Sequence, residues 1–81
     1  VELKELGAKL QEEAAEVIQA ISKIHRFGDN NHHPDRKTTN KQELVGELED
    51  FLAILAALEH KGYINLQTSQ QSIYNKMQQL I

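Results

Sequence analysis

Apolar residues recur along the first third of the chain at Leu3, Gly7, Leu10, Ala14, Val17, Ile21 and Ile24, in alternating steps of four and three. That period predicts an amphipathic α-helix with a coiled-coil-like seam, over about residues 2–27. Gly28 is its expected stop, with Lys23, His25 and Arg26 in the last turn where cations suit the helix dipole. The next twelve residues, GDNNHHPDRKTT at 28–39, hold no apolar side chain except the proline, so they read as a polar surface loop. Asn40 then opens a second helix, to about residue 61, with Glu43 three positions on as its capping-box partner. Its seam is Leu44, Leu48, Phe51, Leu55 and Leu58, widened by Val45, Leu52 and Ile54. Gly62 ends that helix. A third, Gln-rich helix over about 66–80, capped by Asn65 or Thr68, carries a narrower stripe of Ile73, Met77 and Leu80 or Ile81.

The pattern is therefore all-α: one domain spanning residues 1–81, built as a helical hairpin plus a third helix. The run FLAILAAL at 51–58 is apolar nearly all round, which one neighbouring helix cannot cover. Antiparallel packing of two such hairpins would give a four-helix bundle core across subunits, in a homodimer or homotetramer, with the third helix covering one side. Composition supports that need for a partner. The chain has 81 residues and no cysteine, so neither a disulfide nor a thiolate zinc site can staple it. Nine basic against twelve acidic residues give a net charge of −3 and no field for a nucleic-acid backbone. No apolar run is long enough to span a membrane or to form a signal-peptide core, and the chain reads as cytoplasmic.

The acids change the picture from scaffold to chemistry. EEAAE at 12–16 lies on the first helix and ELED at 47–50 on the second. At about 100° per residue, Glu13 stands about 70° and Glu16 about 130° from the first seam. Glu47 stands about 60° and Asp50 about 120° from the second. If the helices pack antiparallel through their seams, these four carboxylates converge at the edge of the apolar surface. Like charges so placed repel and resist burial, and a hard divalent cation with oxygen ligands resolves the conflict. Magnesium fits, with manganese as the alternative. Glu49, about 140° from its seam, reads as a surface residue. A di-iron centre would want a Glu-x-x-His signature, which is missing, and His32 and His33 are adjacent loop residues with no third ligand spaced for them.

EEAAE followed by ELED resembles the paired EExxE and ExxD signatures of the MazG-like all-α nucleoside triphosphate pyrophosphohydrolases. The likeness extends to SKIHRFG at 22–28, HPD at 33–35 and TNKQELVGELEDFLAIL at 39–55, about two-thirds of the chain, and is greatest to the short single-domain branch found in phage and mobile-element proteins. The loop between the motifs is longer than usual for the family, and Glu49 stands where a small residue is common. The resemblance implies magnesium-dependent cleavage of a nucleoside or deoxynucleoside triphosphate to the monophosphate and pyrophosphate. It implies Glu13, Glu16, Glu47 and Asp50 as metal ligands, with Glu12 holding a second ion or orienting the attacking water.

Positive groups should meet the phosphates. Lys9, Lys23 and Phe27 fall on the row of Glu13 and Glu16, and Arg36 and Lys37 sit on the polar loop, so these five are the candidate substrate contacts. The competing reading is a non-catalytic helical oligomerisation or regulatory module, or an inactive relative, whose acids are only solvated.

Overall fold

A computed structural model describes residues 2–81. Three α-helices follow in order, α1 (Leu3–Phe27), α2 (Asn40–His60) and α3 (Gln70–Leu80), and no strand occurs among the described residues. α1 ends where expected: Gly28 adopts φ 87, a left-handed conformation that costs glycine little, and its N–H donates to the Ile24 carbonyl at 2.8 Å.

α2 starts at Asn40 as expected, but its cap is a correction. Thr39, not Asn40, is the cap: its hydroxyl accepts from the Gln42 N–H at 3.1 Å, and the Gln42 side chain accepts from the Thr39 N–H at 2.8 Å. Capping is settled one residue earlier because Asn40 is needed elsewhere. Among the described residues it is the buried polar one, 5% exposed, and its Nδ2 donates to the Gly28 carbonyl at 3.0 Å. The N–H groups of Asn40 and Lys41, two of the orphan donors of a helix start, go to the carbonyls of Asn31 and Asp29 at 2.7 and 2.9 Å. The polar loop is thereby stitched to both helices at its base. Thr39→Ala should cost about 1 kcal/mol, the usual value of a lost cap, read as a lowered thermal midpoint. An unchanged midpoint would contradict the capping box.

At its other end α2 closes on Gly62, φ 79, with the Gly62 N–H donating to Glu59 at 2.9 Å and the Tyr63 N–H to Leu58 at 3.0 Å. That is the bond pair of a Schellman motif. Neither Asn65 nor Thr68 then caps α3 directly. The Asn65 side chain accepts from the Gln67 N–H at 3.0 Å and seeds a 3-10 turn, Gln67–Ser69, so α3 begins only at Gln70.

α1 and α2 pack as an antiparallel hairpin, but through faces rotated by about 40° from the expected seams, both towards the acids. Leu6 and Ala20 are buried on α1, with Leu10, Glu13, Val17 and Ile24 half-buried between and beyond them. On α2 the matching series is Asn40, Leu44, Glu47, Phe51, Ile54 and Leu58. Each is an uninterrupted four-three repeat with a glutamate in one core position. Ile21 and Leu48, expected in the seams, are 38% exposed, and Ile18, Val45 and Leu52 are more so.

Among the described residues α3 packs on neither α1 nor α2, and every one of its side chains is exposed. The molecule is accordingly flat, 42 × 34 × 16 Å, with a radius of gyration of 15.2 Å where about 12 Å is usual for this length. It exposes 6559 Å², against about 4,900 Å² for a compact 9.2 kDa monomer.

Candidate functional site

Rotation of the seams decides the site. With Glu13 seven residues from both Leu6 and Ala20, and Glu47 seven from both Asn40 and Ile54, the two carboxylates project into the helix interface rather than along its rim. Asp50, one turn on from Glu47 and exposed, completes a group whose carboxylate oxygens lie within 4.8 Å of one another. Glu13 Oε2 and Glu47 Oε2 are both buried and have no hydrogen-bond partner. Two facing acceptors without a donor are costly in a helix interface.

The electrostatics follow from that geometry. Glu13 is raised from the ordinary 4.5, first by burial, then by the charges of Glu16 and Asp50 and a hydrogen bond with Glu16, with an opposing hydrogen bond to Glu47. Glu47 is pushed up to about 7, first by its hydrogen bond with Glu16, then by burial and by the charges of Glu16, Glu13 and Asp50. Without a cation the cluster thus relieves itself with protons. Its donors, three carboxylates with two bare buried oxygens, fit a hard oxygen-seeking divalent ion and offer nothing to a thiophilic one.

Glu16 is exposed and outside the tightest trio. Glu12 is exposed on α1 and also outside the trio. Glu16 and Glu47 open into a groove of about 230 Å³ lined also by Lys23, Arg36, Asn40 and Glu43. The last four of these residues also line a cleft of about 490 Å³ that runs on to Phe27, His33 and Pro34, within the size range of small-ligand sites. One channel therefore joins the acids to an aromatic ring. Of the five candidate substrate contacts, Lys23, Phe27 and Arg36 line it, and Lys9 and Lys37 do not. Phe27 is 54% exposed, with the Arg26 guanidinium 5.0 Å from its ring centroid.

Two wall residues escaped the sequence reading, Asn40 and Glu43, because both were assigned to the helix cap. The signal was there for Asn40: it sits seven residues before Glu47 and four before Leu44, a core position of the repeat. His32 and His33 do reach the cleft wall, but among the described residues the carboxylates alone form a group that could hold a metal ion.

The family model of the MazG nucleotide pyrophosphohydrolase domain matches residues 2–80. No curated protein and no solved structure matches the chain.

Proposed function

The chain belongs to the family of MazG nucleotide pyrophosphohydrolase domains, and we propose that it hydrolyses a nucleoside or deoxynucleoside triphosphate to the monophosphate and pyrophosphate with magnesium, or manganese in its place. The observation that carries this reading is the convergence of Glu13, Glu47 and Asp50 with two buried, partnerless oxygens at the end of a cleft. These three residues, with Glu16, would hold the ion. Bound there, it would offset charge on the phosphate oxygens and acidify a water.

The side chains supply the rest. Lys23 and Arg36, on the wall between acids and ring, meet the triphosphate, and Phe27 offers a face to the base. Water then attacks the α phosphorus, and the bridging oxygen leaves with pyrophosphate. Glu12, exposed beside Glu13, would assist by orienting that water. Lys9 and Lys37 fall outside the proposed site. The test is a panel of NTPs and dNTPs, with and without magnesium, followed by pyrophosphate release. Magnesium-dependent release from at least one nucleotide is expected. Silence across the panel in a folded sample would favour a non-catalytic module instead.

A second copy completes the proposed structure. The exposed area above that of a compact monomer is about 1,600 Å² per chain, within the range of obligate dimer interfaces once both copies are counted. Ile18, Ile21, Val45, Leu48 and Leu52, left outside the hairpin by the rotation of the seams, supply a second apolar face for a four-helix core. No helix among the described residues is long and apolar enough to cross a membrane. Light scattering should give a dimer or tetramer for the parent chain and a smaller species for Leu52→Glu, which places a charge at a residue 60% exposed in one copy. A monomeric parent chain would contradict the bundle.

A further inference from the structure

Arg36 is the cation of the polar loop that reaches the wall shared by the acid groove and the larger cleft. Its Nη1 donates to Glu43 Oε1. The pair is lopsided: the Arg36 side chain is 52% exposed and the Glu43 side chain only 21%, on the first turns of α2. Glu43 is therefore the fixed member and Arg36 the one free to turn. Glu43 has no part in the side-chain capping, which Thr39 and Gln42 perform, although its charge in the first turn suits the helix dipole. Every other carboxylate along this channel, Glu16 and Glu47, belongs to the cluster at its end.

We propose that Glu43 is a resident counter-charge, a carboxylate that occupies the Arg36 guanidinium until a polyphosphate displaces it. The inference rests on the proposed triphosphate site and adds a residue that sets its affinity. Guanidinium forks bind carboxylates and phosphates with the same donors, so the two anions compete for Arg36, and the phosphate brings more charge to the contest. Glu43 weakens ground-state binding and keeps Arg36 directed into the channel when it is empty. It thus acts as a positioning residue, through Arg36, and does not touch the reacting atoms.

The experiment is a double-mutant cycle on Glu43→Gln and Arg36→Gln, reading binding of inorganic tripolyphosphate by calorimetry and KM for whichever nucleotide the chain cleaves. The glutamine keeps the shape and an acceptor for Arg36 but removes the competing charge. Glu43→Gln should tighten tripolyphosphate and lower KM by about two- to fivefold, the scale of one partly exposed ion pair. Arg36→Gln should weaken both, and adding Glu43→Gln to it should then bring no gain. Unchanged or weaker binding by Glu43→Gln overturns the proposal. So does a gain that persists without Arg36, which would mean a general field rather than competition. Absence of tripolyphosphate binding to the parent chain overturns it as well. Binding with this pattern but no hydrolysis of any nucleotide would sink the catalytic reading alone.

Discussion

Glu47→Gln should move activity and stability in opposite directions. Pyrophosphate release is expected to fall by roughly 100-fold or more, because a ligand and a fixed negative charge are lost together. The metal-free protein, by contrast, should become more stable. Glu47 sits in a core position of α2 with one buried oxygen unpartnered and three carboxylates around it. A neutral amide of the same shape removes the repulsion and brings a donor to Glu13 or Glu16. After discounting for the partial exposure of the group, the relief is on the order of 1 kcal/mol, or roughly 4–8 °C in the thermal midpoint of a domain this small. Glu49→Gln, on the exposed side of the same helix, is the control and should alter neither quantity. A Glu47→Gln protein that keeps its activity, or loses stability, would show that the carboxylate is not held under repulsion for the sake of a ligand. Asp50→Asn should share the loss of activity with a smaller gain in stability, since Asp50 is exposed.

Metal affinity and metal-free stability should also diverge with pH. Glu47 holds its proton up to about 7 in the folded chain, against 4.5 for an ordinary glutamate. Between those values the folded state binds a proton that the unfolded state has released. The stability this confers is fully present below 4.5, declines as pH rises through about 7, and is gone above it. Glu13 is shifted in the same direction and adds to the trend. A divalent ion must displace that proton, so its apparent affinity should climb with pH up to about 7 and then level off. Thermal midpoints measured across this window, with and without magnesium, should therefore separate progressively: falling without the ion, held up with it. Magnesium stabilisation that is the same at pH 5 as at pH 8 would place the ion somewhere other than at Glu47.

How much of this the sequence disclosed depends on which signal carried it. Leu10, Val17 and Ile24 on α1, and Leu44, Phe51 and Leu58 on α2, were readable from periodicity alone, since each repeats at heptad spacing in apolar residues. The companion rows are legible only in part: Gly7, Ala14 and Leu55 are half-buried as the periodicity implies, while Ile21 and Leu48 are exposed. Hydropathy places Glu13 and Glu47 at the edge of the apolar surface, whereas the rows that contain them pack in the interface. A repeat whose core positions include a glutamate is invisible to a rule that ranks residues by apolarity, and it is here that function overrides the folding pattern. The acids themselves were found by spacing and by resemblance, which do not depend on the seam. The order of the cleft wall was harder to see. Asn40 fits both a helix cap and a buried bridge to Gly28, and only the carbonyls that surround it decide between the two. The placement of α3 was not legible, because a stripe of Ile73, Met77 and Leu80 shows that a face is apolar and not what covers it.

The scarcity of buried apolar side chains within one copy, Leu6, Ala20 and Leu58, bears on how such a chain is controlled. In the proposed assembly most of the apolar surface leaves water between copies, so mass action enters its stability, and dilution favours separated, less stable chains. Because the hairpin that aligns Glu13 and Glu47 within one copy buries so little apolar surface by itself, the amount of protein made would, in that assembly, set the fraction of sites that are in working order. Expression level would then act on the specific activity of each molecule as well as on the number of molecules.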